Sequence, residues 1–157
     1  MVAATLKTDV LTVVPTAKVV KEVIGSLKEI ASLTEREQEA FDKMQKVRKS
    51  LETDYERFMD VFVEEFGIYH LQECLRSPFL KVVQQVFEIV PHFFSFQAAR
   101  HYIKGKLDFF TALYEFMDHP HLGIRTAVCQ MFNQIFKRLP RGNIAFTLTT
   151  KAAINQA

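Results

Sequence analysis

The sequence lacks tryptophan and is poor in glycine, proline and cysteine, with five, five and two of them among 157 residues. So few glycines and prolines exclude collagen-like and low-complexity chains and favour long helices over many short strands. No apolar run reaches the roughly 18 residues that a bilayer-spanning helix needs, so we expect no transmembrane segment. The first residues also lack the basic region and apolar block of a secretory signal.

Strong net charge is absent as well, because 20 basic and 18 acidic side chains leave +2 at pH 7. This balance argues against a dedicated nucleic-acid-binding protein. The charges are unevenly distributed, however. Residues 35–67 hold six basic and ten acidic side chains, and residues 68–157 hold ten and five. The division could steer a partner or orient neighbouring copies of the chain.

The two cysteines, Cys74 and Cys129, form no CxxC motif and lie within apolar helical patterns. Free cysteine behaves as a small hydrophobic residue, so we expect two buried, reduced thiols. Because disulfides are rare in reducing compartments, the pattern predicts an intracellular protein. It favours the cytoplasm, and mitochondrial import without a typical presequence stays an alternative.

Apolar residues recur every three or four positions through most of the chain, which is the spacing of one helix face. We therefore expect an all-α protein with one folded unit over 16–140. Its predicted segments are an extended arm (1–15), a long-helix hairpin (16–67), a stack of short antiparallel helices (68–140) and a C-terminal tail (141–157). The hairpin contains one long amphipathic helix over 35–66, with Thr34 and Glu37 forming a capping box at its start.

Residues 107–139 place two apolar helices around a short polar turn. Phe110 lies on the first helix, Asp118 stands at the turn, and Arg125 lies at the start of the second helix. This arrangement resembles a HEAT or armadillo repeat. In that family the turn aspartate and the arginine order the junction between helices and repeats, and the resemblance implies that role for Asp118 and Arg125. A partial second repeat lies upstream, with Ser77 at its turn, 41 residues before Asp118. This offset is within the range of about 40–47 residues for such repeats.

One full and one partial repeat are too few for a stable solenoid, because each helix pair must bury its apolar face against the next. The long helix and the first helix could supply the missing end of the stack, or a neighbouring protein could. This alternative stays open from the sequence.

Phenylalanine is abundant, with 15 residues. Five of them place rings on more than one helix face: Phe93, Phe94, Phe96, Phe109 and Phe110. In a short stack with two open ends, we expect some of these rings to remain exposed or to meet a partner. They are therefore the predicted contacts to other protein subunits.

A basic group of Lys137, Arg138 and Arg141 lies at the C-terminus of the last predicted helix. Cations at a helix C-terminus complement the helix dipole, which explains them without any partner. The functional alternative is a surface that binds an acidic protein or peptide, RNA or an anionic membrane.

Motifs for catalysis and cofactor binding are missing, since the chain has no GxGxxG, GxxxxGK[ST] or GxSxG run. The run 118–121 (Asp-His-Pro-His) offers too few ligands for zinc, and the spacing of His70 and Cys74 is common in helices. We therefore expect no enzyme, cofactor or metal site. The sequence predicts a non-catalytic structural or scaffold subunit of a larger assembly, and a small adaptor that uses the basic group is the alternative.

Overall fold

The computed structural model describes the backbone of residues 2–52 and 56–138, and the side chains of 16–52, 56–106 and 108–138. Every regular element in those ranges is helical, which confirms the predicted all-α class. The elements are α1 (Val2–Ser32), α2 (Glu37–Leu51), α3 (Glu56–Glu64), α4 (Gly67–Glu73), a 3₁₀ turn (Cys74–Arg76), α5 (Leu80–Phe93), α6 (Gln97–Lys104), α7 (Leu107–Tyr114), a second 3₁₀ turn (Glu115–Asp118) and α8 (Leu122–Arg138). No helix within the described ranges is long and apolar enough to cross a bilayer.

The start of the chain differs from the prediction, because the backbone of 1–15 is helical from Val2 onward and continues into α1. The many β-branched residues and Pro15 are the features of this segment that favour an extended arm. β-Branched residues lower helix propensity by only about 0.5 kcal/mol each, so they discourage a helix weakly. Leu6 and Val10 already recur at the spacing of a helix face.

The predicted long helix over 35–66 is two helices, since α2 ends at Leu51 and α3 begins at Glu56. The apolar stripe continues in phase across the break, with Leu51 buried on α2 and Phe58 and Phe62 buried on α3. The two helices have different neighbours: α2 packs against α1 and α5, whereas α3 packs against α1 and α6. Because the helix is broken, the apolar face of α2 and that of α3 contact different helices of the core.

The turn between α1 and α2 also differs from the prediction, because the capping box of Thr34 and Glu37 does not form. Arg36 precedes α2 with φ 64° and ψ 62°, and no side chain caps the first turn. An ion pair between Lys43 of α2 and Glu29 of α1 ties the two helices together. The hydrogen bond to Glu29 raises the pKa of Lys43.

The helices form two layers. One contains α2, α5 and α8, and the other contains α1, α3, α4, α6 and α7. Helix α5 is central, because it packs against both α2 and α8, and eight of its 14 residues are buried. The helix continues through Pro91, which is buried inside it, and ends at Phe93.

The two outer helices of the first layer, α2 and α8, present mainly polar side chains to solvent. The exposed residues include Asp42, Gln45, Lys46 and Lys49 on α2, and Thr126, Gln130, Asn133 and Lys137 on α8. A polar outer face is what allows a helical stack to end without a partner. The open aromatic ends expected from the sequence are therefore not found on these two helices.

Candidate functional site

The helices α2 and α5 run parallel. The Lys81 ammonium of α5 lies 5.9 Å from the centroid of the Phe41 ring of α2. Further along both helices, Arg48 of α2 forms an ion pair with Glu88 of α5. Contacts that advance together along two helices define a parallel pair.

The helices α5 and α8 are related in the same way. A Cβ atom added at Gly123, near the start of α8, would lie 2.9 Å from the side-chain nitrogen of Gln84, near the start of α5. The later parts of both helices then line one groove. Since Arg48 and Glu88 are 40 residues apart and Gln84 and Gly123 are 39 apart, the layer adds one parallel helix about every 40 residues.

The open groove between α5 and α8 has a volume of about 670 Å³ and reaches α2. Its base is apolar, because Phe87, Pro91 and Met131 are buried there. Its rim is polar and includes Arg48, Glu88, Gln130, Asn133, Gln134 and Arg138. An apolar base with a few polar groups around it is typical of a binding cleft.

Arg48 is fixed at the α2 side of the groove. Its Nε donates a hydrogen bond to Glu52 Oε1 at 2.7 Å, and its Nη1 donates to Gln85 Oε1 at 3.0 Å and to Glu88. The hydrogen bond to Glu52 and the nearby charge of Glu88 raise the pKa of Arg48. One arginine against two carboxylates leaves this side of the groove with one uncompensated negative charge.

Three amide side chains line the other side of the groove along α8. Gln130, Asn133 and Gln134 are exposed, and their spacing of three and four residues places them on one helix face. Gln134 Oε1 accepts a hydrogen bond from Arg138 Nη1 at 3.0 Å. Each primary amide has both donors and an acceptor, which is the pairing capacity of a peptide backbone.

His92 of α5 also lines the groove. Its Nε2 atom is buried and has no hydrogen-bond partner within the described part of the chain. The imidazole packs edge-on against the Phe96 ring, with 5.1 Å between ring centroids. A buried polar atom without a partner costs about 1–3 kcal/mol, and the wall of the groove bears this cost at His92.

The five phenylalanines predicted to meet a partner lie in the core. Phe93 and Phe94 are 0% exposed, and Phe96, Phe109 and Phe110 are 6%, 3% and 1% exposed. The Phe110 ring lies 6.2 Å from the Phe94 ring and 5.5 Å from the Phe109 ring, measured between centroids. Because the helices form two layers, rings on different faces of one helix find different internal neighbours. The exposed aromatic surface expected at these residues is therefore not found.

The predicted basic group lies partly within the described residues. Lys137 and Arg138 are exposed in the last turn of α8, where their charges complement the helix dipole. Arg138 also lines the end of the groove. Arg141 lies outside the described residues.

Asp118 and Arg125 flank the turn that leads into α8. Arg125 Nη1 donates hydrogen bonds to the carbonyl oxygens of His119 at 2.7 Å and Pro120 at 3.2 Å. The His121 amide donates to His119 Nδ1 at 3.0 Å. The side chain of Arg125 thus binds the backbone of the turn, while Asp118 is exposed. No group of three or more potential metal ligands occurs in the described ranges.

The two cysteines have different surroundings. The Cys74 thiol is buried and donates to the carbonyl oxygens of Leu27 and His70, both at 3.5 Å. Burial raises the pKa of Cys74 to about 12, so a reactive thiolate is strongly disfavoured. Cys129 is exposed, contrary to the prediction that both thiols are buried, because it lies on the solvent face of the outer helix α8.

The connection between α3 and α4 carries a feature that the sequence analysis missed. Phe66 has φ 60° and ψ 30°, in the left-handed region, and is 62% exposed. Tyr69, in the first turn of α4, is 49% exposed. A left-handed conformation at a bulky residue costs about 1–3 kcal/mol. The one signal in the sequence is a phenylalanine directly before Gly67, at the point where the predicted long helix over 35–66 ends.

No protein-family model, curated protein or solved structure matches the chain. Three surfaces of the described residues are therefore the candidates for function: the groove, the basic end of α8 and the corner at Phe66.

Proposed function

We propose that the chain is a non-catalytic scaffold subunit that holds an extended segment of a partner protein in the groove between α5 and α8. The observation that carries the proposal is the groove itself, with its apolar base and its amide-rich rim. Helices hold such side chains in fixed positions, which lowers the entropy cost of binding.

The parallel course of α2, α5 and α8 supports a scaffold role. One parallel helix about every 40 residues is typical of HEAT and armadillo-type stacks. In such stacks each helix pair contacts its neighbours, and the aligned helices form an extended binding surface. We accordingly interpret the chain as a short HEAT/armadillo-like stack in which α1 and α2 supply the missing end, which is one of the two alternatives that the sequence left open.

The chemistry of the groove fits an extended peptide. Gln130 and Asn133 can each donate to a carbonyl oxygen and accept from an N–H of a peptide backbone. Alternate side chains of the same peptide can then reach the apolar base at Pro91 and Met131, since successive side chains of an extended segment point to opposite sides.

The surroundings of Arg48 and of the two cysteines support a non-catalytic role and an intracellular location. Arg48 is engaged by two carboxylates, and the Cys74 thiol is buried with a raised pKa. Both cysteines are free thiols, which suits a reducing compartment, either the cytoplasm or the mitochondrion.

Affinity purification of the tagged chain from its own cells tests the proposal. We expect at least one protein to co-purify in stoichiometric amount with the wild type. Gln130→Arg puts a long charged side chain into the groove and should lower recovery of that protein about tenfold or more. Gln45→Arg is the matched control, because Gln45 is an exposed glutamine on the outer face of α2.

The proposal fails if no protein co-purifies in stoichiometric amount. It also fails if Gln130→Arg and Gln45→Arg recover the partner equally well. Circular dichroism of both variants checks that each stays folded.

A second candidate is a small adaptor that binds an acidic protein surface, RNA or an anionic membrane. The specific observation in its favour is the exposure of Lys137 and Arg138 at one end of the groove. Binding through these charges should weaken steeply with salt and be lost in a Lys137→Glu/Arg138→Glu variant. If that variant loses the partner while Gln130→Arg keeps it, the adaptor interpretation replaces the groove.

A further inference from the structure

A second surface, separate from the groove, combines exposed aromatic rings with carboxylates. We name it the acidic–aromatic corner and define it as Glu64, Glu65, Phe66 and Tyr69, at the junction of α3 and α4. Four large apolar or aromatic side chains are exposed by more than a third within the described ranges: Val19, Phe66, Tyr69 and Leu122. Phe66 and Tyr69 are the pair that lies within one helical turn.

The backbone holds Phe66 outward at a cost. Its left-handed conformation is one that glycine adopts freely and phenylalanine resists. Gly67, directly after it, is needed for a different reason. A Cβ atom there would lie 2.4 Å from the Phe62 ring, which is completely buried. Phe66 therefore has both a strained backbone and an exposed ring in the free chain, and neither feature stabilises the fold.

The charges next to Phe66 in the sequence are negative, whereas Tyr69 contacts the ring of His70, whose pKa is lowered by burial and by the charge of Lys28. Glu64 and Glu65 are exposed, and no described side chain forms an ion pair with either. Glu73, one turn beyond Tyr69, pairs with Arg76 at 3.7 Å. The corner thus presents two carboxylates beside two aromatic faces, a combination that complements a cation with a flat or apolar surface.

Arginine has that chemistry. Its guanidinium stacks on aromatic faces, pairs with carboxylates through two parallel hydrogen bonds, and is more weakly hydrated than an ammonium group. We propose that the acidic–aromatic corner docks an arginine-bearing segment of a partner protein, with the guanidinium between the Phe66 or Tyr69 ring and the carboxylates of Glu64 and Glu65.

The test uses a fluorescein-labelled tetra-arginine peptide as the probe, with anisotropy read at about 0.15 M salt. We expect saturable binding to the wild type with a Kd below about 1 mM. A tetra-lysine peptide should bind about threefold or more weakly, because lysine lacks the planar stacking surface. Phe66→Gly should weaken tetra-arginine binding about fivefold or more while keeping the fold, since glycine suits the left-handed conformation.

Two variants that each remove two negative charges distinguish binding at the corner from general electrostatic attraction to the protein. Glu64→Gln/Glu65→Gln removes two charges at the corner and should weaken binding about fivefold or more. Glu35→Gln/Glu37→Gln removes two exposed charges before and at the start of α2 and should change it by less than about twofold.

Equal losses in the two charge-matched variants would show general attraction and overturn the proposal. Unchanged binding in Phe66→Gly, or no binding below about 1 mM peptide, would also overturn it. Sedimentation of the wild-type chain alone completes the test. If the chain is a dimer and Phe66→Gly dissociates it, the corner binds a second copy of the chain, and the proposed arginine-bearing partner is overturned.

Discussion

Gly67→Ala should destabilise the protein, although alanine is the better helix former. The added Cβ atom would lie 2.4–2.5 Å from three ring carbons of Phe62, whereas non-bonded carbons prefer about 3.5–4.0 Å. The Phe62 ring cannot move aside easily, because it is 0% exposed and lies 6.1 Å from the Phe58 ring and 6.0 Å from the Phe93 ring. Overpacking of this kind costs about 1–3 kcal/mol.

The size of the effect follows from two opposing terms. Alanine recovers up to about 1 kcal/mol of helix propensity in a helix interior, and less at the first residue of α4. We therefore expect Gly67→Ala to lower the free energy of unfolding by about 1–2 kcal/mol in urea denaturation followed by circular dichroism.

Gly25→Ala is the matched control, since nothing lies within 4 Å of a Cβ atom built at Gly25 inside α1. It should raise the free energy of unfolding by about 0.5–1 kcal/mol. In a Phe62→Leu background, which lacks two of the three clashing ring carbons, the Gly67→Ala penalty should be smaller than in the wild type. A neutral or stabilising Gly67→Ala in the wild-type background would refute the close approach of α4 to the Phe62 ring.

Three further predictions concern the core and its titratable groups. Phe94→Ala should lower the free energy of unfolding by about 3–5 kcal/mol in urea denaturation, and a loss below about 1 kcal/mol would show that Phe94 is not a core residue. Iodoacetamide at pH 8 should alkylate Cys129 and spare Cys74 in the folded protein, as peptide mass spectrometry would show, and equal labelling would contradict the burial of Cys74. Burial and the charge of Lys28 lower the pKa of His70, so the folded state resists its protonation. Stability should therefore fall as pH drops below about 6.5, and His70→Gln should reduce that fall; an unchanged pH dependence would exclude His70 as its source.

The helical class could be predicted because it depends on local spacing. The end of α2 at Leu51 could not be predicted, because Phe58 and Phe62 continue the same apolar stripe. The spacing of apolar residues does not indicate which neighbouring helix each residue contacts. The chain start shows the opposite error, since the β-branched composition of 1–15 outweighed a helical spacing that was already present.

The sites depended on contacts that no local pattern contains. Burial of Phe94 and Phe110 requires a second layer of helices, and the groove requires Pro91 and Met131 to meet from segments about 40 residues apart. The sequence did identify the basic end of α8. The exposure of Phe66 could not be predicted, because apolar spacing indicates which residues share a helix face and does not indicate a left-handed backbone.

The most direct test of the central claim is site-specific photo-crosslinking within cells. A benzophenone amino acid at Asn133 stands at the rim of the groove, and the same group at Gln45 stands on the outer face of α2. We expect one dominant protein adduct from position 133 and none of that protein from position 45. The same adduct from both positions, or an adduct only from position 45, would contradict a partner held between α5 and α8.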